Sequence, residues 1–223
     1  MHVGLIMRTD LVTIAPDTSL VKARDIIAEK RIEHLLVVDK QGNLIGIVSD
    51  RDLKQTWASP ATALSAHELN YLLKQLTVET MMVTKIVSVT PGTTIERAGL
   101  IMQEHRIGAL PVMDKGKLVG IITTTDVTAV LLDALGINGD STRFVVLIKD
   151  RVGMVAEVSR ILKEAGINIR SFVTWPEKRY PGVYHFVIRV AAADGEKAIS
   201  TLTEAGFKVL TEYVEDLGPY LPT

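Results

Sequence analysis

The 223-residue chain is 47% hydrophobic with a formal net charge of −1, enough apolar material to bury a core in one large domain or two to three small ones. The charge balance offers no basic field for nucleic acid or an anionic membrane, and the absence of cysteine excludes disulfides, thiolate metal sites and a cysteine nucleophile. No apolar run reaches the length of a membrane span and Met1-His2-Val3-Gly4 opens no signal peptide, so a cytoplasmic protein with neither nucleic-acid nor membrane partners is expected.

Taken in order, residues 12–14 read as a short strand stopped by Pro16, and Leu20, Ala23, Ile26 and Ile27 as an apolar stripe at helical spacing. Residues 35–38 and 44–48 read as a hairpin across Gln41-Gly42-Asn43. The whole series then returns: Met7, Thr9, Val12, Pro16, Arg31, Ile32, Leu35 and Asp39 recur as Met82, Thr84, Val87, Pro91, Arg106, Ile107, Leu110 and Asp114. The second helical stripe is Ile95, Ala98, Ile101 and Met102, after a strand expected at 87–89. The offset drops by one at the shorter Gly116-Lys117, a length change that a hairpin loop tolerates. One unit of about 60 residues is marginal alone, so the two are expected to pack together.

Each repeat closes on a heptad, Gly46-Ile47-Val48-Ser49-Asp50-Arg51-Asp52 and Gly120-Ile121-Ile122-Thr123-Thr124-Thr125-Asp126. Both read as strand, turn and helix start, with Ser49 or Thr123 as the N-cap. Two readings stand side by side. Ser-x-x-Asp and Thr-x-x-Asp resemble a capping box, which stabilises the helix and nothing more. A helix N-terminus with a spare hydroxyl is also an anion site, and an acid three residues on can accept two bonds from a ribose diol. Arg51 supplies the first heptad with a cation where the second has Thr125.

Between the repeats, residues 58–75 read as a linker helix opened by a capping box at Ser65-Ala66-His67-Glu68. After the second repeat, residues 136–142 have hinge composition. The pattern then changes. Strands are expected at 144–148, 168–175, 183–191 and 207–214; Val155, Val158, Ile161 and Leu162 mark a helix stopped at Gly166, and a second helix falls near 195–205. That order is βαββαβ, the split βαβ arrangement of ferredoxin-like folds.

Thr13-x-x-Pro16-x-x-Ser19, Arg31-Ile32-x-His34-Leu35, Leu110-Pro111-Val112-Met113-Asp114 and both heptads together resemble a tandem CBS-domain pair, a Bateman module, over residues 1–135. The resemblance implies a cleft for an adenine nucleotide of the AMP, ADP or ATP class. By that analogy Asp52 and Asp126 would hold ribose, Ser49 and Thr123 would face phosphate, and Thr13 and Ser88, with backbone near Leu35 and Leu110, would line the base pocket; Arg51 is either an extra cation for a phosphorylated ligand at the first site or a solvated surface residue. Asp150-Arg151-Val152-Gly153-Met154 and Gly166-Ile167-Asn168-Ile169 resemble an ACT domain. There the resemblance implies an amino acid or similar effector at Asp150, Gly153, Met154 and Asn168; their structural alternative is a tight turn and local bonding. The order CBS–CBS–ACT is similar to that of the acetoin-utilisation AcuB-type proteins.

The expected fold class is α+β: two CBS repeats (1–57 and 76–135) around a linker, a hinge at 136–142, a ferredoxin-like ACT domain (143–217) and a tail (218–223). Catalytic signatures are missing: no Gly-x-Gly-x-x-Gly, no phosphate-loop lysine, no Gly-x-Ser-x-Gly, and histidines at 2, 34, 67, 105 and 185 without metal-ligand spacing. The expectation is a non-catalytic regulatory sensor that forms a homodimer. The alternatives are a purely structural dimerisation module with empty clefts, or a regulatory subunit of a separate partner enzyme.

Overall fold

The structure is a computed structural model that describes residues 1–58, 75–137 and 139–222. The linker helix expected between the repeats, with His67, lies outside the described residues apart from its two ends. The chain divides into two units, Met1–Thr128 and Ala129–Thr223, each described by itself. No helix among the described residues is long and apolar enough to cross a membrane.

The first unit holds both repeats. In the first, β1 (Thr13–Ile14) pairs in parallel with β2 (His34–Val38), which pairs antiparallel with β3 (Leu44–Ser49). Helix α1 (Leu20–Lys30) starts where the Ser19 hydroxyl accepts the Lys22 N–H, and it buries Leu20, Ala23 and Ile27. Helix α2 (Asp50–Ala58) follows β3 directly. The second repeat repeats this with α3 (Ile95–His105), capped by Thr94, the β4–β5 hairpin (Ala109–Asp114, Lys117–Thr123) and α4 (Thr124–Ala134). Both hairpins bulge at the same step, between Val37 and Val38 and between Val112 and Met113.

One strand departs from expectation. Residues 87–89 reduce to a single parallel bridge between Val89 and Val112. In the first repeat the Leu36 N–H donates to the Val12 carbonyl; its counterpart Pro111 has no N–H to give.

The repeats also exchange their leading segments. A 3-10 turn at Val3–Leu5 lies on the second repeat, where Val3 N–H donates to Thr93 O at 2.8 Å and Gly4 N–H to Pro91 O at 2.9 Å. Its counterpart at Val78–Thr80 lies on the first repeat, with Val78 N–H on Thr18 O at 2.8 Å and Glu79 N–H on Pro16 O at 2.9 Å. Each strap drops a methionine over a glycine of the opposite β-hairpin. A Cβ on Gly46 would run into the Met82 sulfur, and one on Gly120 would lie 2.5 Å from the Met7 sulfur.

The second unit is a four-stranded antiparallel sheet in the order β7-β8-β6-β9, from β6 (Ser141–Lys149), β7 (Ile169–Pro176), β8 (Val183–Ala191) and β9 (Val209–Leu210). Helices α5 (Met154–Glu164) and α6 (Gly195–Glu204) complete the βαββαβ order. They cover Phe144, Val146, Ile148, Phe186, Ile188 and Val190 with Val158, Leu162, Ala198 and Leu202. The strand expected at 207–214 ends at Leu210, because the chain then turns under the opposite face. There Leu217, with Val214, Tyr220 and Leu221, packs on Val145, Leu147 and Val187. Both faces are therefore covered, which accounts for the unbroken apolar run 144–148.

The segment of hinge composition is tied to this unit. Ser171 Oγ donates to Leu135 O at 2.7 Å, Ser141 Oγ to Gly136 O at 3.2 Å, and Arg170 to Asp140 O. Beyond β7, Glu177 accepts the Arg179 N–H at 2.9 Å and lies 2.5 Å from His185 Nε2, whose ring stacks on Trp175.

Two predictions follow from packing and charge here. Gly46→Ala and Gly120→Ala should each cost about 1–3 kcal/mol by overpacking. Adding Met82→Ala or Met7→Ala, respectively, should return part of that loss in urea denaturation. The Arg179 amide, then the His185 ring, holds the Glu177 carboxyl at about 2, below its ordinary 4.5. A depressed carboxyl stabilises the fold above its ordinary value and loses that stabilisation as pH falls toward the folded one. Thermal melts of Glu177→Gln should accordingly show a shallower decline than wild type between pH 4.5 and 2.

Candidate functional site

The heptads fold as reciprocal caps. At the first, Asp52 Oδ2 accepts from the Ser49 amide at 2.9 Å and the Ser49 hydroxyl at 2.6 Å, while the Asp52 amide donates back to Ser49 Oγ at 3.2 Å. At the second, Asp126 Oδ2 accepts from Thr123 N–H and Oγ1 at 2.9 and 2.6 Å, and the Asp126 amide returns a bond at 3.3 Å. The capping geometry is therefore present in both. It uses one carboxylate oxygen and leaves Oδ1 of each acid outside the cap.

What happens to that second oxygen separates the two. Arg8 Nη2 lies 3.2 Å from Asp126 Oδ1. Burial pushes the Asp126 carboxyl up, but the Thr123 hydroxyl and amide and the Arg8 guanidinium outweigh it and hold it below its ordinary value. The residue matching Arg8 in the other strap is Val83, so Asp52 has no ion pair among the described residues.

Each heptad opens on a cleft whose far wall comes from the other repeat. The first cleft, about 470 Å³, has Ser49, Arg51 and Asp52 on one side and Lys85, Val87, Arg106 and Pro111 on the other. The second, about 630 Å³, has Thr123 and Thr125 facing Arg8, Val12, Arg31 and Leu36. These volumes suit a small-molecule site. Glu33 and His34 line both clefts. Burial pushes the His34 imidazole below its ordinary value against the pull of Glu33 and Asp52, and its Nδ1 has no hydrogen-bond partner among the described residues.

The residues expected around a base pocket are chain neighbours of the cleft-lining Val12, Leu36, Val87 and Pro111. Thr13, Leu35, Ser88 and Leu110 line neither cleft. Leu35 and Leu110 are sealed in the core, and Thr13 and Ser88 are exposed elsewhere. The apolar walls are Val12 and Leu36, and Val87 and Pro111, in each case one residue away. One step along an extended chain changes the face presented. Sequence reading also missed Arg8, Lys85 and Arg106 as cleft residues, and Arg31 except as part of a repeated motif. The signal for the two arginines was their identity at one repeat position.

In the second unit, Gly153 starts α5 at φ 91°, in the left-handed region that favours glycine, and provides no side-chain cap. Met154 lines a cavity of about 190 Å³ with Lys149, Arg151, Lys208 and the tail residues Tyr220 and Leu221. Asp150, Gly153 and Asn168 do not line it, so the expected foursome is not gathered around this cavity. Met154 itself is largely buried in the helix–sheet core. The tail's part in the cavity was missed because those residues have no strand or helix period.

Comparison with known proteins agrees with this geometry. The CBS domain family model matches residues 3–58 and 78–133, and the ACT domain model matches 142–206. A CBS domain-containing protein of Dictyostelium discoideum is 33% identical over 58% of this chain and 90% of its own length. An inosine-5′-monophosphate dehydrogenase of Nitrosopumilus maritimus is 28% identical over 89% of this chain, which spans 36% of that enzyme. Among solved structures, a Vibrio cholerae protein given the name AcuB, for acetoin utilization, is 30% identical with a TM-score of 0.51, over 61% of this chain and 94% of its own. The reciprocal caps at the end of each repeat, the clefts they share and the βαββαβ unit that follows thus have one family reading: the chain belongs to the CBS domain family, as a tandem pair joined to a C-terminal ACT domain of AcuB-type order.

Proposed function

We propose that the protein is a non-catalytic regulatory sensor that binds an adenine nucleotide in the clefts of its CBS pair. The observation that carries this reading is that each helix-start heptad faces an apolar strand wall and an arginine from the other repeat, with one oxygen of Asp52 left outside its cap. An adenine fits against Val87 and Pro111, or against Val12 and Leu36. Its ribose diol reaches the free oxygen of Asp52 in the first cleft; in the second, Asp126 stands behind the lining residues Arg8 and Thr123 and serves the ribose only if Arg8 releases it. The CBS family's known use of such clefts for adenosine-containing ligands supports the assignment. Ser49 and Thr123 contribute through the helix start, where amides and dipole favour a negative group.

The ACT unit, on this reading, takes a small carboxylate-bearing effector, supported by Lys149 and Lys208 at one cavity, where Arg151 pairs with Glu157 of the same lining at 2.7 Å. Asp150 and Gly153 then shape the turn that opens α5. The homodimer reading draws on the edge strand β7, where Phe172 and Trp175 are 52% and 43% exposed. An edge with such residues favours strand pairing with a second copy.

The binding test is calorimetric titration of AMP into wild type and into Asp52→Asn with Asp126→Asn. Loss of the charged acceptor costs about 1.5–3 kcal/mol, so affinity should fall roughly tenfold to a hundredfold. Wild-type affinity in the double variant would rule out the ribose role; a collapse in Tm with unchanged affinity per folded molecule would leave the acids as caps alone. Light scattering of the full chain should give the mass of a dimer, and a Phe172→Glu variant should shift it toward monomer.

A further inference from the structure

The ACT family match ends at residue 206, yet the second unit packs on as far as Pro222. Past β9 the chain crosses the sheet face that no helix covers, held by Leu217, which is 5% exposed against Val145, Leu147 and Val187. It is pinned on the way, where Arg179 Nη1 donates to Glu215 O at 3.1 Å and the Gly218 N–H to Asp216 Oδ1 at 2.9 Å. A 3-10 turn at Gly218–Tyr220 then returns the chain to β9, and Lys208 Nζ donates to Leu221 O at 3.2 Å. Tyr220, Leu221 and Pro222 thereby close one side of a cavity whose other sides are the end of β6, the start of α5 and the α6–β9 connection. With Phe207 and Lys208, the tail builds its walls from outside the matched residues.

The cavity is small and its charges are lopsided. Its volume of about 190 Å³ lies below the roughly 300–1,000 Å³ typical of drug-sized ligands, so it takes a small molecule. Lys149, Lys208 and Arg151 stand against a single acid in the lining, Glu157. That acid is already paired, since Arg151 Nη2 lies 2.7 Å from its Oε2. Neither lysine has an ion pair among the described residues, and Lys208 donates to the uncharged Leu221 carbonyl. An ammonium has three N–H donors, so Lys208 can hold that carbonyl and a carboxylate together. Leu147, Met154, Phe207 and Leu221 supply apolar surface beside the lysines. A free amino acid would bring its own ammonium into the same small space, where the lining has no unpaired carboxylate to receive it. Like charges so placed repel, and an unmatched charge loses hydration without return.

We propose that this cavity selects a short-chain carboxylate without an ammonium group, and that Tyr220, Leu221 and Pro222 form the lid that sets its chain length. The inference rests on the carboxylate-effector reading above and adds the ligand's class and its gate. In the bound state the carboxylate lies on Lys149 and Lys208, and the hydrocarbon against Met154, Phe207 and Leu221. Lys208 then joins ligand and tail through one ammonium, so occupancy and lid closure favour each other, as linkage requires. A longer chain would have to displace the tail from the place that Leu217 anchors.

The experiment follows amide chemical shifts of the full chain titrated with butyrate, 2-aminobutyrate and octanoate, with thermal melts of each protein. Butyrate and 2-aminobutyrate share a carbon skeleton and differ only by the ammonium. Wild type should bind butyrate about tenfold or more tightly than 2-aminobutyrate, and octanoate more weakly than butyrate. Lys149→Gln/Lys208→Gln, at exposed positions, should lower butyrate affinity by about tenfold or more with Tm little changed. A chain stopped after Leu217 keeps that anchor and should bind butyrate more weakly, and octanoate no worse than butyrate. Tyr220→Ala should move both affinities in the same direction, and it reads the lid even where the shortened chain folds poorly. Equal affinities for butyrate and 2-aminobutyrate, both lost in the lysine variant, overturn the selection and leave the carboxylate-effector reading standing. Butyrate affinity unchanged in the lysine variant overturns the site. Unchanged preference in both the shortened chain and Tyr220→Ala overturns the lid. Wild type binding neither of the matched acids overturns the proposal and the effector reading together.

Discussion

The first unit depends on two short backbone exchanges. Ile47 and Val83 trade hydrogen bonds at 3.1 and 2.9 Å, and Arg8 and Ile121 trade another pair at 2.9 and 3.0 Å. Each joins the strap of one repeat to the last strand of the other, at the second residue of the heptad. The straps bring Arg8 and Lys85 to the clefts and set Met7 and Met82 on the glycines that open the heptads. Neither repeat finishes its own surface, so cleft geometry and repeat packing are one problem with one solution.

Within that frame the heptads serve structure and chemistry with the same atoms. The cap occupies one oxygen of Asp52 or Asp126 and fixes the carboxylate's direction; the other oxygen stays outside the cap, open at Asp52 and paired with Arg8 at Asp126. This is preorganisation in a literal sense, since the rotamer freedom a binding acid would lose has been lost on folding. The two clefts then differ by one substitution in the straps. Arg8 engages Asp126, whereas Asp52 has no ion pair among the described residues, so ligand entry at the second heptad involves a change of ion-pair partner that the first does not need.

Much of this was readable in the residues, and the rest was not for identifiable reasons. The repeat exposed the helices, hairpins and heptads because their signals are local: a stripe at Leu20, Ala23 and Ile27, a glycine between apolar runs, a hydroxyl three residues before an acid. The same locality revealed the βαββαβ order through the glycines that end α5 and α6. The cleft walls Val12, Leu36, Val87 and Pro111 were not singled out, because the short apolar runs that hold them are too unbroken for alternation to fix a face. Residues 87–89 looked like 12–14, yet Pro111 withholds the amide that the pairing needs. The strap exchange and the tail beneath the ACT sheet join segments far apart in sequence, and no periodicity records that. Arg31 and Arg106 were seen as repeated letters; only the fold shows that each lines a cleft.

The exchanged straps have a consequence for what the tandem arrangement is. A chain with one repeat would carry a strap that fits a neighbour and a glycine groove awaiting one, and would finish itself only by associating with a second copy. Such an association rises and falls with protein concentration. Joining two copies in one chain replaces that dependence with a fixed effective concentration. The pair is then complete in every molecule however dilute the protein becomes, and its two clefts are free to drift apart in sequence, as Arg8 and Val83 already have.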